Sequence, residues 1–304
     1  GLIENVASNL PRIDFTNDTK GHLLLEPQST NLITYSEDFS NSDWNLGTNA
    51  VLTYETNITA PDGSLGVYRL TLPAQSSTFL QFQTGAGTTN YTGSIYAKSA
   101  SVNDEGFNLF YGGLASSRFI TNNDWLRYDY NDNGTQFTIV NDGDTFVTDI
   151  YIWGSQLEEK SYPTSYIPTS GSTVTRNAEV CDDSGSVQDF NSEEGVLYAE
   201  IAALADDGTF RLISLDGGDN TNVVKFGYRT TSNAIYYEVR SGNVSQAFQI
   251  YTTTDVKQFH KVAVLYQQNN FKLFINGVNV LSDTSGITPV GLNNISFDVN
   301  NASS

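Results

Sequence analysis

The chain has 304 residues, of which 38% are hydrophobic and only 16% charged, below the usual charged share of roughly 25%. Its 34 acidic side chains against 15 basic ones leave a net charge of −19, which repels phosphate backbones and anionic lipid heads and so argues against nucleic acid and membrane surfaces as partners. Cys181 is the one cysteine, which excludes an intrachain disulfide and a cysteine-based zinc site, and no apolar run approaches the ~20 residues of a spanning helix. A chain without methionine, even at position 1, reads as a piece of a longer polypeptide.

Residues 1–25 are irregular and are expected to form an N-terminal arm. Alternation at period two then marks half-buried strands at Ser77 to Gln83, Thr145 to Trp153 and Phe210 to Leu215. Asn-Asp-Asn-Gly at 131–134, Asn-Asp-Gly-Asp at 141–144 and Asp-Gly-Gly-Asp at 216–219 supply tight turns, which predicts an antiparallel meander. The Pro- and Ser-containing stretch from Ser161 reads as the approach to a domain boundary. Ala199 to Ala205 is read as a strand because its neighbours alternate. Farther on, Asn269-Asn270 turns one strand into the next, and Asn276-Gly277 suits a type I′ hairpin turn. The predicted class is all-β, with two antiparallel β-sandwich domains over 26–172 and 190–304, joined by a linker over 173–189.

Catalytic material is sparse. Only His22 and His260 are present as histidines, and His260, at a strand entrance, reads as structural. The acidic pairs Glu37-Asp38, Glu158-Glu159 and Glu193-Glu194 are adjacent, so on a strand each pair points to opposite faces and cannot flank a glycosidic bond. Phosphate-loop, Gly-x-Ser-x-Gly and His-Glu-x-x-His patterns are missing. Asp129-x-Asn131-x-Asn133-Gly134 opens like a calcium loop, but position twelve is Val140 instead of the bidentate glutamate, and a hairpin turn is the better reading. Asn57, Asn90 and Asn243 head sequons that an asparagine-rich chain produces by chance. Aromatic residues make up 12%, and rings among Asn, Asp and Gln suit the stacking of sugars. Tyr111, Tyr128, Tyr236 and Tyr237, which adjoin polar residues, are the predicted carbohydrate-binding side chains.

Two resemblances sharpen this. The stretch from Thr254 through Phe-His-Lys-Val-Ala-Val-Leu-Tyr to Leu-Phe-Ile-Asn-Gly-Val resembles the central hairpin of concanavalin A-like, laminin-G-like domains, with Phe259 and Lys261 replacing their usual Trp and second His. Such domains normally continue for another strand or two, so the resemblance implies a domain cut short at its C-terminus. Gly1-Leu-Ile-Glu-Asn, Leu23-Leu-Leu-Glu-Pro-Gln-Ser-Thr-Asn-Leu-Ile-Thr-Tyr-Ser-Glu-Asp-Phe, Tyr151-Ile-Trp-Gly-Ser-Gln-Leu-Glu-Glu and Tyr162-Pro-Thr-Ser-Tyr-Ile-Pro-Thr resemble a module of tailed-bacteriophage fibre and appendage proteins. Its jelly roll is similar to secreted carbohydrate-binding modules, which Trp125-Leu-Arg also echoes. The resemblance implies a non-enzymatic virion structural protein at the virion surface, homotrimeric, with other virion proteins and host-surface glycans as partners. It also implies a structural calcium near Glu37, Asp38 and Gln156. The rival expectations are the carbohydrate-binding portion of a secreted bacterial polysaccharide-degrading enzyme and a spacer without a ligand.

Overall fold

The computed structural model describes residues 3–4, 6–7, 10–15, 19–75, 78–83, 90–101, 105–110, 116–134, 136–141, 147–181 and 184–297. Among them the chain is all-β, without helix, and it divides into two compact units, Gly1–Asn177 and Ala178–Ser304.

In the first unit a small arm hairpin, β1 (Ile13–Asp14) and β2 (His22–Leu23), precedes β3 (Ser29–Asn31) and β4 (Trp44–Leu46). There follow β5 (Val51–Thr59), β6 (Leu65–Leu72), β7 (Phe79–Gln83), β8 (Asn90–Ser99), β9 (Gly106–Phe110) and β10 (Phe119–Ile120). The last four are β11 (Leu126–Asn133), β12 (Gln136–Asn141), β13 (Thr148–Glu158) and β14 (Val174–Arg176). Two antiparallel sheets result, ordered β11-β8-β13-β6-β5 and β10-β9-β12-β7-β4. Strands β6 to β13 are dealt between them in jelly-roll order, with β5 and β4 added at the edges. A local meander was the expectation for this half; the pairings are instead long-range, such as Ile150 with Leu70 on one side and with Ser99 on the other.

Alternation explains the layering. Ile150 and Ile152 of β13 point inward with Leu70, Leu72, Ile95 and Ala97, and meet Leu80, Phe82, Phe107, Leu109, Phe137 and Ile139 of the other sheet in one core. Tyr151 and Trp153 therefore point outward. Between Trp153 and Gln156 the register against β8 slips through a bulge. Gly154 sits there at φ +62°, where a Cβ would press 3.3 Å from the rings of Tyr96 and Tyr166.

Three local readings need correction. The run at 131–134 is not a hairpin turn: Asp129, Asn131 and Asn133 lie in β11, paired with Ser94, Thr92 and Asn90 of β8, and the chain then crosses to β12 in the other sheet. The 161–172 stretch is not a loose approach to a boundary, because the side chains described below clamp it. Residues 174–176 of the expected linker form β14 against β3, and Ser184 bridges to Ile295. The turn expected at 141–144 lies outside the described residues beyond Asn141.

The second unit contains β15 (Glu194–Ile201), β16 (Arg211–Asp216), β17 (Val223–Tyr228), β18 (Ala234–Ser241) and β19 (Val244–Thr252). It continues with β20 (His260–Gln267), β21 (Asn270–Ile275), β22 (Val278–Asp283) and β23 (Asn294–Phe297). A four-stranded sheet, β15-β20-β21-β22, and a five-stranded one, β19-β18-β17-β16-β23, share a core that includes Phe226, Ile235, Tyr237, Val264, Phe271 and Leu273. Here meanders do occur, β16 to β19 and β20 to β22. Asn276 and Gly277, at φ 51° and 84°, make the two-residue type I′ turn. The preceding turn falls on Gln268-Asn269, with Asn269 at φ 58° and Asn270 already in β21, one residue earlier than the sequence suggested.

Candidate functional site

The segment from Tyr162 to Ser170 lacks regular structure, and its backbone groups are satisfied by side chains of the jelly roll instead. Asn31, fully buried, donates to the carbonyls of Ser155 (3.2 Å) and Ile167 (2.8 Å) and accepts from the amides of Ile33 and Leu157, both at 3.1 Å. Gln156, also fully buried, donates to the carbonyls of Thr164 and Ser165 and accepts from the Ile167 amide at 2.6 Å. Buried Glu158 accepts from Ser29 Oγ, Thr164 Oγ1 and the Thr164 amide. Glu26 accepts from the Ser165 amide while Arg12 and Arg176 pair with it at 2.6 and 3.0 Å. The clamp seats Tyr166 on the outer face of the β11-β8-β13-β6-β5 sheet, its ring centroid 4.8 Å from Trp153 and 6.2 Å from Tyr96.

That outer face carries two neighbouring ranks of side chains, because cross-strand partners share a face and residues two apart repeat it. Register places Glu55, Val67, Trp153, Tyr96 and Arg127 in one rank. Ala60, Ile58 and Tyr166 pack on this rank's Val67, Trp153 and Tyr96 and cover it. The other rank runs Thr53, Arg69, Tyr151 and Lys98, and Trp125, just before β11, completes it. Trp125 Nε1 donates to the Thr59 carbonyl at 2.8 Å, which ties the ring to the β5-β6 hairpin. The Lys98 ammonium lies 5.1 Å from the Trp125 centroid and 5.6 Å from that of Tyr151, within cation–π range of both. Desolvation lowers its pKa, with Asp124 acting in the opposite direction. Beside Tyr151, Arg69 grips Asp149 through Nε and Nη2 at 2.8 and 2.6 Å. Trp125, Lys98 and Tyr151 are half-buried, so an open shelf of two rings and an ammonium, edged by a carboxylate, lies along the sheet. Such a surface can stack the apolar face of a sugar and hydrogen-bond its hydroxyls.

A separate cleft of about 250 Å³ is lined by Tyr35, Glu37, Asp38, Pro168, Thr169 and Ser170. Partial desolvation raises the Glu37 carboxyl, against the hydrogen bond it receives from Tyr166 at 2.9 Å. Asp38 is lowered, chiefly by Ser40, and its Oδ1 also accepts from Tyr68 at 2.8 Å. Glu37 and Asp38 thus share a site. Gln156 does not join them, since both ends of its amide are spent on the backbone. Of the three expected calcium neighbours the cleft therefore holds two, and among the described residues no group of three or more His, Cys, Asp or Glu side chains converges.

The predicted sugar-binding tyrosines are placed differently from expectation. Tyr128 is a core ring that donates to the Ile120 carbonyl at 2.9 Å, and Tyr237 is fully enclosed in the second core. Tyr236 is 4% exposed, beneath Arg229. None of the three offers a free face, and Tyr111 lies outside the described residues. His260 is structural: Nδ1 lies 2.7 Å from the Gln258 carbonyl and Nε2 2.6 Å from Thr253 Oγ1, which fixes the loop before β20. The sequence reading missed Lys98, Tyr151 and Trp125 as a unit; Trp125-Leu-Arg was a signal, but its partners come from other strands. Compared with known proteins, the chain matches no family model and no curated protein.

Proposed function

We propose that this chain is a non-enzymatic glycan-binding protein, a fibre or appendage component displayed on a virion surface, and that its jelly roll holds saccharide on the Tyr151–Lys98–Trp125 shelf. The observation that carries the binding reading is the juxtaposition of two half-buried rings around one ammonium on the outer face of the sheet. The virion setting rests on the sequence resemblance alone. Each shelf binds weakly, and a homotrimeric fibre presenting several copies converts weak sites into firm attachment through effective concentration.

The test is a glycan array on the full chain, with titration of the best ligand against Tyr151→Ala and Trp125→Ala. Truncating an aromatic side chain that carries binding costs upward of ~1 kcal/mol, roughly five-fold or more in affinity. Loss of that size with unchanged thermal unfolding supports the shelf. Unchanged affinity, or no glycan bound at all, overturns it, and release of reducing sugar from bound polysaccharide overturns the non-enzymatic reading.

A further inference from the structure

The second unit holds an arginine in an unusual setting. Arg229 follows β17 directly, and its guanidinium carbon lies 5.0 Å from the Phe248 centroid, 5.5 Å from Tyr236 and 5.7 Å from Phe210. The register explains the shelf. Tyr236, Gly227 and Leu212 are cross-strand partners in one rank of the five-stranded sheet. A Cβ at Gly227 would lie 2.0 Å from the Arg211 carbonyl oxygen, so this position is kept without a side chain. Over that gap the Arg229 side chain lies back across Tyr236, while Phe248 of β19 and Phe210 beside β16 flank it, 43% and 38% exposed. Tyr236 and Phe248 themselves are 6.1 Å apart.

Among the described residues Arg229 makes no hydrogen bond and no ion pair. In a chain with 34 acidic side chains this is informative, because carboxylates are available for pairing: Asp207 takes Arg211 at 3.1 Å, and Glu238 takes Lys225 at 3.1 Å and lies 3.7 Å from Arg240. Three rings hold the guanidinium in place and none of them uses its N–H donors, which leaves a fork suited to bidentate binding of a carboxylate. The exposed rings of Phe248 and Phe210 suit an apolar pyranose surface.

We infer that Arg229, seated on the buried Tyr236 ring and flanked by the exposed Phe210 and Phe248, forms a second saccharide site selective for sugars bearing a carboxylate, that is, hexuronates. The inference builds on the reading of the chain as a glycan binder but uses a different unit and different residues. The experiment titrates the full chain, and its Arg229→Gln, Arg229→Lys and Tyr151→Ala variants, with oligogalacturonate and with the same oligomer carboxyl-reduced to galactose. Wild type is expected to bind the acidic oligomer at least ~10-fold more tightly than the neutral one, a preference that Arg229→Gln removes and that Arg229→Lys, which keeps the charge without the fork, restores only in part. Tyr151→Ala, which removes part of the first shelf, is expected to weaken binding there while leaving the Arg229-dependent part of the acid preference in place. No acid preference in wild type, or one that survives Arg229→Gln, overturns the inference. Neutral binding that depends on Tyr151 without any acid preference would sink this site and leave the first shelf standing, whereas Arg229-dependent acid binding that ignores Tyr151, with no neutral binding, would do the reverse.

Discussion

Replacing Asn31 with alanine tests whether the clamp, and not the core alone, fixes the first unit. The amide satisfies four backbone groups in a fully buried place: the carbonyls of Ser155 and Ile167 and the N–H groups of Ile33 and Leu157. Alanine leaves all four without a partner. At the low end of the cost for a buried unsatisfied group, ~1 kcal/mol each, the loss is ~4 kcal/mol, a large part of a domain's ~5–15 kcal/mol. With a urea slope of ~2 kcal/mol per molar, the midpoint falls by ~2 M. Trp44, Trp125 and Trp153 all belong to the first unit, so tryptophan emission during urea unfolding follows that unit. Thr30→Ala is the control, since the Thr30 hydroxyl meets Thr175 in an exposed pair and its loss should stay within ~0.5 kcal/mol. A loss below ~1 kcal/mol for Asn31→Ala, comparable to the control, would refute the clamp and with it the account of how Tyr166 is seated.

Two further predictions concern titration and metal. Burial pushes the Tyr237 hydroxyl up to about 12, the charge of Asp283 adding to the effect, and desolvation also raises Tyr228 and Tyr166. An unfolded phenol ionises near ~10. The native state therefore binds more protons above that point, so stability is complete below about pH 10 and declines as pH rises toward about 12. Urea midpoints at about pH 9 and about pH 11 should fall in that order; an unchanged midpoint, with tyrosinate absorbance rising near pH ~10 while the fold persists, would contradict the burial assignment. Because Gln156 is spent on backbone and, among the described residues, no third His, Cys, Asp or Glu side chain joins Glu37 and Asp38, a chelator should leave the thermal midpoint of the first unit unchanged, and a fall reversed by calcium would show a site completed by other oxygens.

What the sequence displayed was whatever depends on neighbouring residues. Strand alternation was visible because one face of each sheet is dry, and the Asn276-Gly277 turn was visible because type I′ geometry needs two consecutive residues that accept positive φ. The jelly roll was not visible in spacing, since its pairings join strands far apart in the chain. The predicted tyrosines are buried for specific reasons: Tyr128 is the core-facing member of an alternation whose outer members are Arg127 and Asp129, while the adjacent Tyr236 and Tyr237 point to opposite faces, one beneath Arg229 and the other in the second core. Lys225 is 7% exposed and Glu158 not at all. A tyrosine beside polar residues is therefore not by that fact an outward-facing one. Likewise the 161–172 stretch looked like a linker because its two prolines lack the N–H that a ladder needs and its remaining residues are mostly polar, while Asn31, Gln156 and Glu158, distant or across the bulge, supply the hydrogen bonds that a ladder would have given.

The two shelves follow from how a strongly acidic chain uses its few cations. Arg12, Arg176, Arg69, Arg211, Lys225 and Arg240 pair with carboxylates, and Arg127 is spent on the Thr164 carbonyl and Ser94 Oγ. Lys98 and Arg229 rest on rings, as Arg127 also does on Tyr96, but among the described residues without Arg127's hydrogen bonds. A ring stabilises a cation by ~0.5–2 kcal/mol without neutralising it, so each keeps its charge for a partner from outside. The net charge of −19 repels an acidic glycan at a distance, but beyond a Debye length of ~8 Å at physiological salt that repulsion is largely screened. At contact the ligand meets the cation and the ring faces together. On the proposed reading, charge against a carboxylate and apolar area against a pyranose would act at the same few atoms, which would let a protein that repels polyanions in general select one that carries its charge on a sugar.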